Sequence, residues 1–332
     1  MRRQELIEDF GWHVRNALLG EVYTTPKPGL VDRQDNGSHR DMTFETFIDS
    51  TEAITPYIVE MFLAGFDGVS VLSRAVPGYD PALTYSEAER IFLMIRVIGM
   101  NAERAMFTAT HGVNTHKGMI FTMGIVSAAA GLEYRSSGRF DAAHILETSA
   151  KMTRRILQRE FAEMQTRAPR THGEILYHQY GEKGIRGQAE LGFPIIRETA
   201  LPAMERAVRI AADDKSVEQL RKLGTIRREL TQQDSEQNRE KLENLIHLEV
   251  LLEIMAVLND TNVASRSSYM EMQSFKKEAA AVLQLGGAFT EEGFQALEKM
   301  NQDCIRRNIS PGGAADILAV TILLHRLVES MV

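Results

Sequence analysis

The chain has 332 residues, 44% hydrophobic and 25% charged, the profile of an ordinary globular protein and not of a disordered or fibrous one. A formal net charge of −7 excludes the broadly basic surface of a general nucleic-acid binder, while leaving room for a local cationic pocket. The single cysteine, Cys304, excludes an intrachain disulfide and fits a reducing compartment.

The first residues carry Arg2 and Arg3, but Glu5, Glu8 and Asp9 interrupt any apolar stretch that a signal peptide would need. Residues 24–41 follow, with two prolines, two glycines, three aspartates, a histidine and three cations in eighteen positions. Most connections between elements run about 4–6 residues, and long structureless ones are usually functional or disordered. This segment is poor in Ser, Glu and Gln and is bounded by apolar periodic stretches, so an ordered loop presenting polar groups is expected.

Apolar residues at spacings of three and four predict helices over 87–107, 140–165, 198–212, 242–258, 271–285 and 315–329. No alternating β-branched runs joined by a tight turn signal a hairpin. The expectation is an all-α fold of roughly ten to fifteen helices, with residues 1–332 as one domain. The longest mostly apolar uncharged run, Gly118 to Leu132, has fifteen residues against the ~20 that span a bilayer, so a cytoplasmic protein away from membranes is expected. Residues 213–240 hold seven acids and six bases and read as a charged helical insertion or hairpin with a solvated face.

Four further polar islands interrupt the helices. His111 to Gly118 precedes the small-residue helix Met119–Ala130; Lys117 stands at that helix start, where a cation is unfavourable and a bound phosphate would resolve the conflict. In Thr171 to Pro194, Gly181, Gly184, Gly187 and Gly192 surround Arg186, whose planar fork suits phosphate. His172 and His178 are six apart, wrong for a metal pair on one helical face. Asn259 to Arg266 closes an apolar helix on which Glu249, Glu253 and Asp260 share a side. Glu249 and Glu253 read as its solvent edge, and Asp260 as the acid able to face a site. In Ser310 to Asp316, N-capping explains Ser310 and Pro311. It does not explain Gly312 and Gly313, each costing about 1 kcal/mol in a helix, nor Asp316, so close ligand approach is expected there. Cys304 has no histidine neighbour and reads as a buried bystander.

Together the islands suggest one pocket ringed by helix ends, with Lys27, Lys117 and Arg186 as cations and Asp32, Asp35, Asp41, Asp260 and Asp316 as anions. Cations with excess carboxylates suit a polyphosphate carrying Mg²⁺, which takes one or two carboxylates and completes its shell with phosphate and water. No Walker loop or Gly-x-Gly-x-x-Gly is present, so a standard P-loop or Rossmann site is excluded at motif level.

The five clusters, in this order, resemble the triphosphoribosyl-dephospho-CoA synthase family. The matching residues are Thr25–Asp32 with Asn36-Gly37 and His39–Met42, Asn114–Gly118, Gly184–Gly187 with Gly192–Pro194, Asp260–Asn262, and Ser310–Gly313 with Asp316. Gln188 stands where an acid is expected, and Ser267 and Ser268 where glycines are expected. The resemblance implies a transferase in which the ribose 2′-hydroxyl of 3′-dephospho-CoA attacks C1 of the ATP ribose, displacing adenine and keeping the triphosphate. The product would be the precursor of the citrate lyase or malonate decarboxylase prosthetic group. A transferase loading that group onto the acyl carrier protein is an implied functional partner, and the oligomeric state is left open.

Expected roles follow the clusters. Asp32, Asp35 and Asp260 would stabilise the cationic ribose or, with Asp316, hold Mg²⁺; His39 or His116 would act as acid or base. Lys27, Lys117 and Arg186, with Asn114, Gly118, Asn262, Gly312 and Gly313, would bind the nucleotide. Two other readings use the same residues: a Mg²⁺-dependent hydrolase of nucleotide or ADP-ribose-type bonds, and a non-enzymatic helical adaptor for an acyl carrier complex.

Overall fold

The computed structural model describes residues 2–69, 76–222 and 232–331, and among them it contains helices and no strand, as the periodicity predicts. In chain order the helices are α1 (Arg3–Tyr23), α2 (Phe44–Asp67), α3 (Glu87–Ala109), α4 (Lys117–Ser137), α5 (Ala142–Gln165), α6 (His172–Tyr180) and α7 (Gly184–Glu190). They continue with α8 (Leu201–Ala212), α9 (Asp214–Lys222), α10 (Gln232–Val257), α11 (Thr261–Arg266), α12 (Tyr269–Gln284), α13 (Glu291–Arg307) and α14 (Gly312–Glu329). The chain divides into two compact units. The first takes Met1–Leu19, Glu45–Arg197 and Ile322–Val332, and the second Gly20–Phe44 and Glu198–Thr321.

In the first unit α4 is the packed element. It touches α3, α5 and α7, and its residues from Met119 to Gly131 are almost all buried. That burial explains the apolar run at 118–132: a helix enclosed by protein needs no polar face. Among the described residues no helix is long and apolar enough to cross a membrane. Two glycines let α2 and α4 touch backbone to backbone. A Cβ at Gly65 would lie 1.9 Å from the Ala128 carbonyl oxygen, and one at Gly131 would lie 2.0 Å from that of Phe62. Phe10 stacks on Phe62 at 4.0 Å beside Phe140. Helix α3 begins with a capping box between Ser86 and Glu89, and the same Glu89 accepts a bond from Arg155 Nε of α5 at 2.5 Å.

In the second unit α10 packs on α8 and α12. Leu248, Leu251, Phe275, Leu297, Ile317 and Leu318 are buried there. Glu249 and Glu253, read from the wheel as a solvent edge, are both part-buried and engaged. Glu249 accepts the Ala288 N–H at 2.7 Å, and Glu253 pairs with Arg206 at 2.8 Å. Of the charged stretch 213–240, residues 214–222 form α9 and 232–240 open α10, while 223–231 lie outside the described residues.

Candidate functional site

The loop at 24–41 is ordered by its own carboxylates. Asp32 accepts the backbone N–H groups of Lys27 at 2.8 Å, Gln34 at 2.7 Å and Asp35 at 3.1 Å. Asp35 accepts from Gly37 N–H at 2.7 Å and from Asn301 Nδ2 at 3.2 Å. Gly29, at φ +72°, donates to Asn301 Oδ1 at 2.9 Å and lies so close to Ile309 that a Cβ would meet its carbonyl oxygen at 2.1 Å. Glycine is required there both by conformation and by space.

Inside this loop Lys27 is only 1% exposed and pairs with the equally buried Glu21, from the last turn of α1. Its Nζ also donates to the Glu21 carbonyl at 2.9 Å. Burial pushes the Glu21 carboxyl up, against the pull of Lys27. His39 lies with Nε2 2.7 Å from Ser310 Oγ, and burial, reinforced by Arg266, pushes its imidazole down to about 4. Asp41 opposes that shift. The ring is therefore neutral at pH 7 and can accept a proton.

Asp260 joins two helix starts. It caps α11 through the Asn262 N–H at 2.8 Å and reaches α14 through the Ala314 N–H at 2.9 Å. Burial dominates these donors and pushes its carboxyl up to about 6. The two glycines at the start of α14 have a steric reason. A Cβ on Gly313 would sit 3.0 Å from both Asp260 oxygens, and one on Gly312 would sit 3.2 Å from Asn262 Nδ2. One turn further, Asp316 is pushed well above the usual carboxylate range by burial, then by the charges of Asp260 and Glu21. Among the described residues no hydrogen-bond donor reaches its carboxylate. Asp316 is thus repelled by two other acids of its unit, Asp260 and Glu21.

Among the described residues no three His, Cys, Asp or Glu side chains gather as a metal-holding group. The donor chemistry still separates the candidates. Asp32 spends its oxygens on the loop itself and Asp35 on the loop and Asn301, whereas Asp316 combines an uncommitted carboxylate with like-charged neighbours that a divalent cation would relieve.

In the first unit His116 is buried at the start of α4, its Nδ1 2.6 Å from Ser50 Oγ and its ring edge-on to Phe47 at 5.0 Å. Asn114 is exposed; Lys117, more than half exposed, pairs with Glu103 at 3.1 Å. Arg186, on α7, pairs with Glu160 and lies 5.4 Å from the Phe161 ring centre. Burial pulls its guanidinium down and Glu160 opposes this. The same Glu160 holds Arg96. A cavity of about 420 Å³ is lined by α2, α3, α4 and α7, with Lys117, Gly118 and Arg186 among its residues. His172 is exposed, and His178 meets the Met164 carbonyl at 3.0 Å, so the two share no ligand.

The predicted residues therefore fall into two groups. Lys27, Asp32, Asp35, His39, Asp41, Asp260, Asn262, Gly312, Gly313 and Asp316 belong to the second unit, and Asn114, His116, Lys117, Gly118 and Arg186 to the first. Sequence reasoning missed Glu21 and Glu160, the carboxylates that hold Lys27 and Arg186. The only signal for either was an acid on the buried side of an amphipathic helix.

The chain is an all-α transferase. Residues 7–223 and 220–331 match the model of the ATP:dephospho-CoA triphosphoribosyl transferase family (CitG), and the chain belongs to that family. It is 35% identical over 314 residues to the probable 2-(5''-triphosphoribosyl)-3'-dephosphocoenzyme-A synthase of Vibrio cholerae serotype O1 (strain M66-2), covering 95% of this chain and 86% of that one. To the 2-(5''-triphosphoribosyl)-3'-dephosphocoenzyme-A synthase of Escherichia fergusonii it is 34% identical over 311 residues, 94% of this chain and 88% of the relative. No solved structure matches.

Proposed function

We propose that the chain transfers the triphosphoribosyl group of ATP to the ribose 2′-hydroxyl of 3′-dephospho-CoA and releases adenine. The observation that carries this reading is the family match over residues 7–223 and 220–331, nearly the whole chain. In the reaction the bond from ribose C1 to adenine breaks, a bond from C1 to the acceptor oxygen forms, and the hydroxyl proton ends on the departing adenine. Breaking a glycosidic bond builds positive charge on the ribose, which carboxylates stabilise.

The buried Asp260 and the half-buried Asp316 of the second unit suit that task. Asp260 and Asp316 sit at the start of one helix and are held close together despite their repulsion, an arrangement in which positive charge developing nearby is stabilised. Asp32 and Asp35 shape the loop that carries His39. The neutral His39 imidazole accepts the hydroxyl proton, with Ser310 holding its ring. His116, fixed by Ser50, is the second candidate for proton transfer. Asp316, with Asp260 beside it, would hold Mg²⁺. Mg²⁺ would supply neutralisation of the triphosphate charge. In the first unit Lys117 and Arg186 bind phosphate groups, with Gly118 beside them in the cavity wall and Asn114 just before α4; in the second unit Asn262 lies against Gly312. Lys27, committed to Glu21, holds the loop in place.

The product supplies the prosthetic-group precursor for the acyl carrier protein of citrate lyase or malonate decarboxylase, for loading by a separate transferase in the cytoplasm. The test is mass spectrometry of the purified chain with ATP, Mg²⁺ and 3′-dephospho-CoA. One adenine per triphosphoribosyl-dephospho-CoA is expected. Adenine and ribose 5-triphosphate released without the acceptor would overturn the reading in favour of a hydrolase, and a folded chain without turnover would favour an adaptor.

A further inference from the structure

The cavity of the first unit combines two chemistries. Its walls include Met61, Phe92, Ile95, Ile120 and Phe121, with the unbranched thioether of Met61 able to adapt to a flexible guest. Arg96, Lys117 and Arg186 also line it. Arg96 and Arg186 share one carboxylate, Glu160, and Glu174 adds a weaker pull on Arg186. The volume of about 420 Å³ falls within the ~300–1,000 Å³ of small-molecule sites. What fits is a long, mainly apolar group attached at one end to an anion.

Of the two substrates proposed above, ATP does not match this description. It carries a flat base with a polar edge and three phosphates, and would ask for hydrogen-bonding partners at the base. Dephospho-CoA does match, because it joins a diphosphate to a flexible pantetheine arm with a gem-dimethyl group, two amides and a thiol. We infer that this cavity seats the pantetheine arm of dephospho-CoA, with Lys117 and the Arg96–Arg186 pair meeting the diphosphate. The inference rests on the proposed activity for its ligand, and it assigns the first unit to recognition of the acceptor.

Gly99 of α3 gives a direct test. A Cβ there would be 3.6 Å from Met61 Cε and 3.7 Å from Ile120 Cγ2, ordinary contacts, while a longer side chain would enter the cavity. The full chain and its Gly99→Leu variant are compared in two ways: by steady-state adenine release, giving KM for each substrate, and by calorimetric titration with pantetheine 4′-phosphate. Gly99→Leu is expected to raise KM for dephospho-CoA about tenfold or more, to leave KM for ATP unmoved, and to weaken pantetheine 4′-phosphate binding in parallel. Unchanged KM for dephospho-CoA in the folded variant would overturn the inference while leaving the transferase reading intact. A rise confined to KM for ATP would also overturn it, assigning the cavity to the donor. If the wild-type chain turns nothing over, the proposed activity fails, and the titration still decides: binding lost in the variant supports the cavity as a pantetheine site, and binding absent from the wild type removes it. Should Gly99→Leu not fold, Gly99→Ala is read the same way, with an expected effect of about threefold.

Discussion

Asp260→Asn isolates the cost of keeping an ionised carboxylate buried between two helix starts. The folded chain holds this carboxyl at about 6 against an ordinary 3.8. Between those values the native state binds more protons than the unfolded state, so stability falls as pH rises. The shift corresponds to about 3 kcal/mol, present below pH 4 and lost by the time pH has passed about 6. Asparagine resembles the neutral acid in shape and keeps one accepting oxygen. The amide nitrogen replaces one of the two oxygens that accept backbone N–H groups, a cost independent of pH, so the stability of the variant relative to wild type should rise by up to about 3 kcal/mol between about pH 4 and about pH 7.5. Asp316 adds to the difference, because removing the Asp260 charge removes part of what raises its own carboxyl. Urea denaturation followed by far-UV circular dichroism, repeated across this pH range, measures the divergence. The same variant should turn over more slowly, since stability at this position opposes the charge that the proposed chemistry uses. A stability difference that stays flat from low to high pH would refute the reasoning.

Two further perturbations test other parts of the structure. Lys27→Met leaves Glu21 buried without its cation and should cost about 3–5 kcal/mol in urea denaturation at neutral pH. The loss should shrink as pH falls and Glu21 takes up a proton, and Glu21→Met combined with Lys27→Met should recover most of it; a single-variant loss that the double variant does not relieve would contradict the pairing. Burial pushes the Cys304 thiol up to about 12, so a disulfide reagent at about pH 8 should leave the native chain unlabelled and modify it only in denaturing urea.

The helices most legible in the sequence were those with one apolar face. The periodicity at 140–165 became α5 (Ala142–Gln165), and that at 271–285 became α12 (Tyr269–Gln284). The reading at 242–258 found only the apolar part of α10, whose first turns, from Gln232 onward, are polar and give no period. Helices α1 and α2 were not read at all; α2 even contains Pro56, a residue that argues against a helix interior. At the polar islands, residue types and their order were legible, while their partners were not. Nothing near Arg186 in sequence announces Glu160, twenty-six positions away, and Gly313 cannot be traced to Asp260 until the fold brings them together. The sequence marked Lys27 as a phosphate ligand because it is a cation in a conspicuous loop; its burial against Glu21 depends on how the end of α1 meets that loop.

The interleaved route of the chain through its two units has a consequence for biosynthesis. The first unit needs Ile322–Val332 and the second needs the stretch up to Thr321, so both draw on α14. Vectorial synthesis usually lets an N-terminal domain mature while the rest is still being made. Here no such head start exists: a nascent chain arrested before α14 owns neither unit in complete form, and assembly of both waits until Gly312–Glu329 has been made.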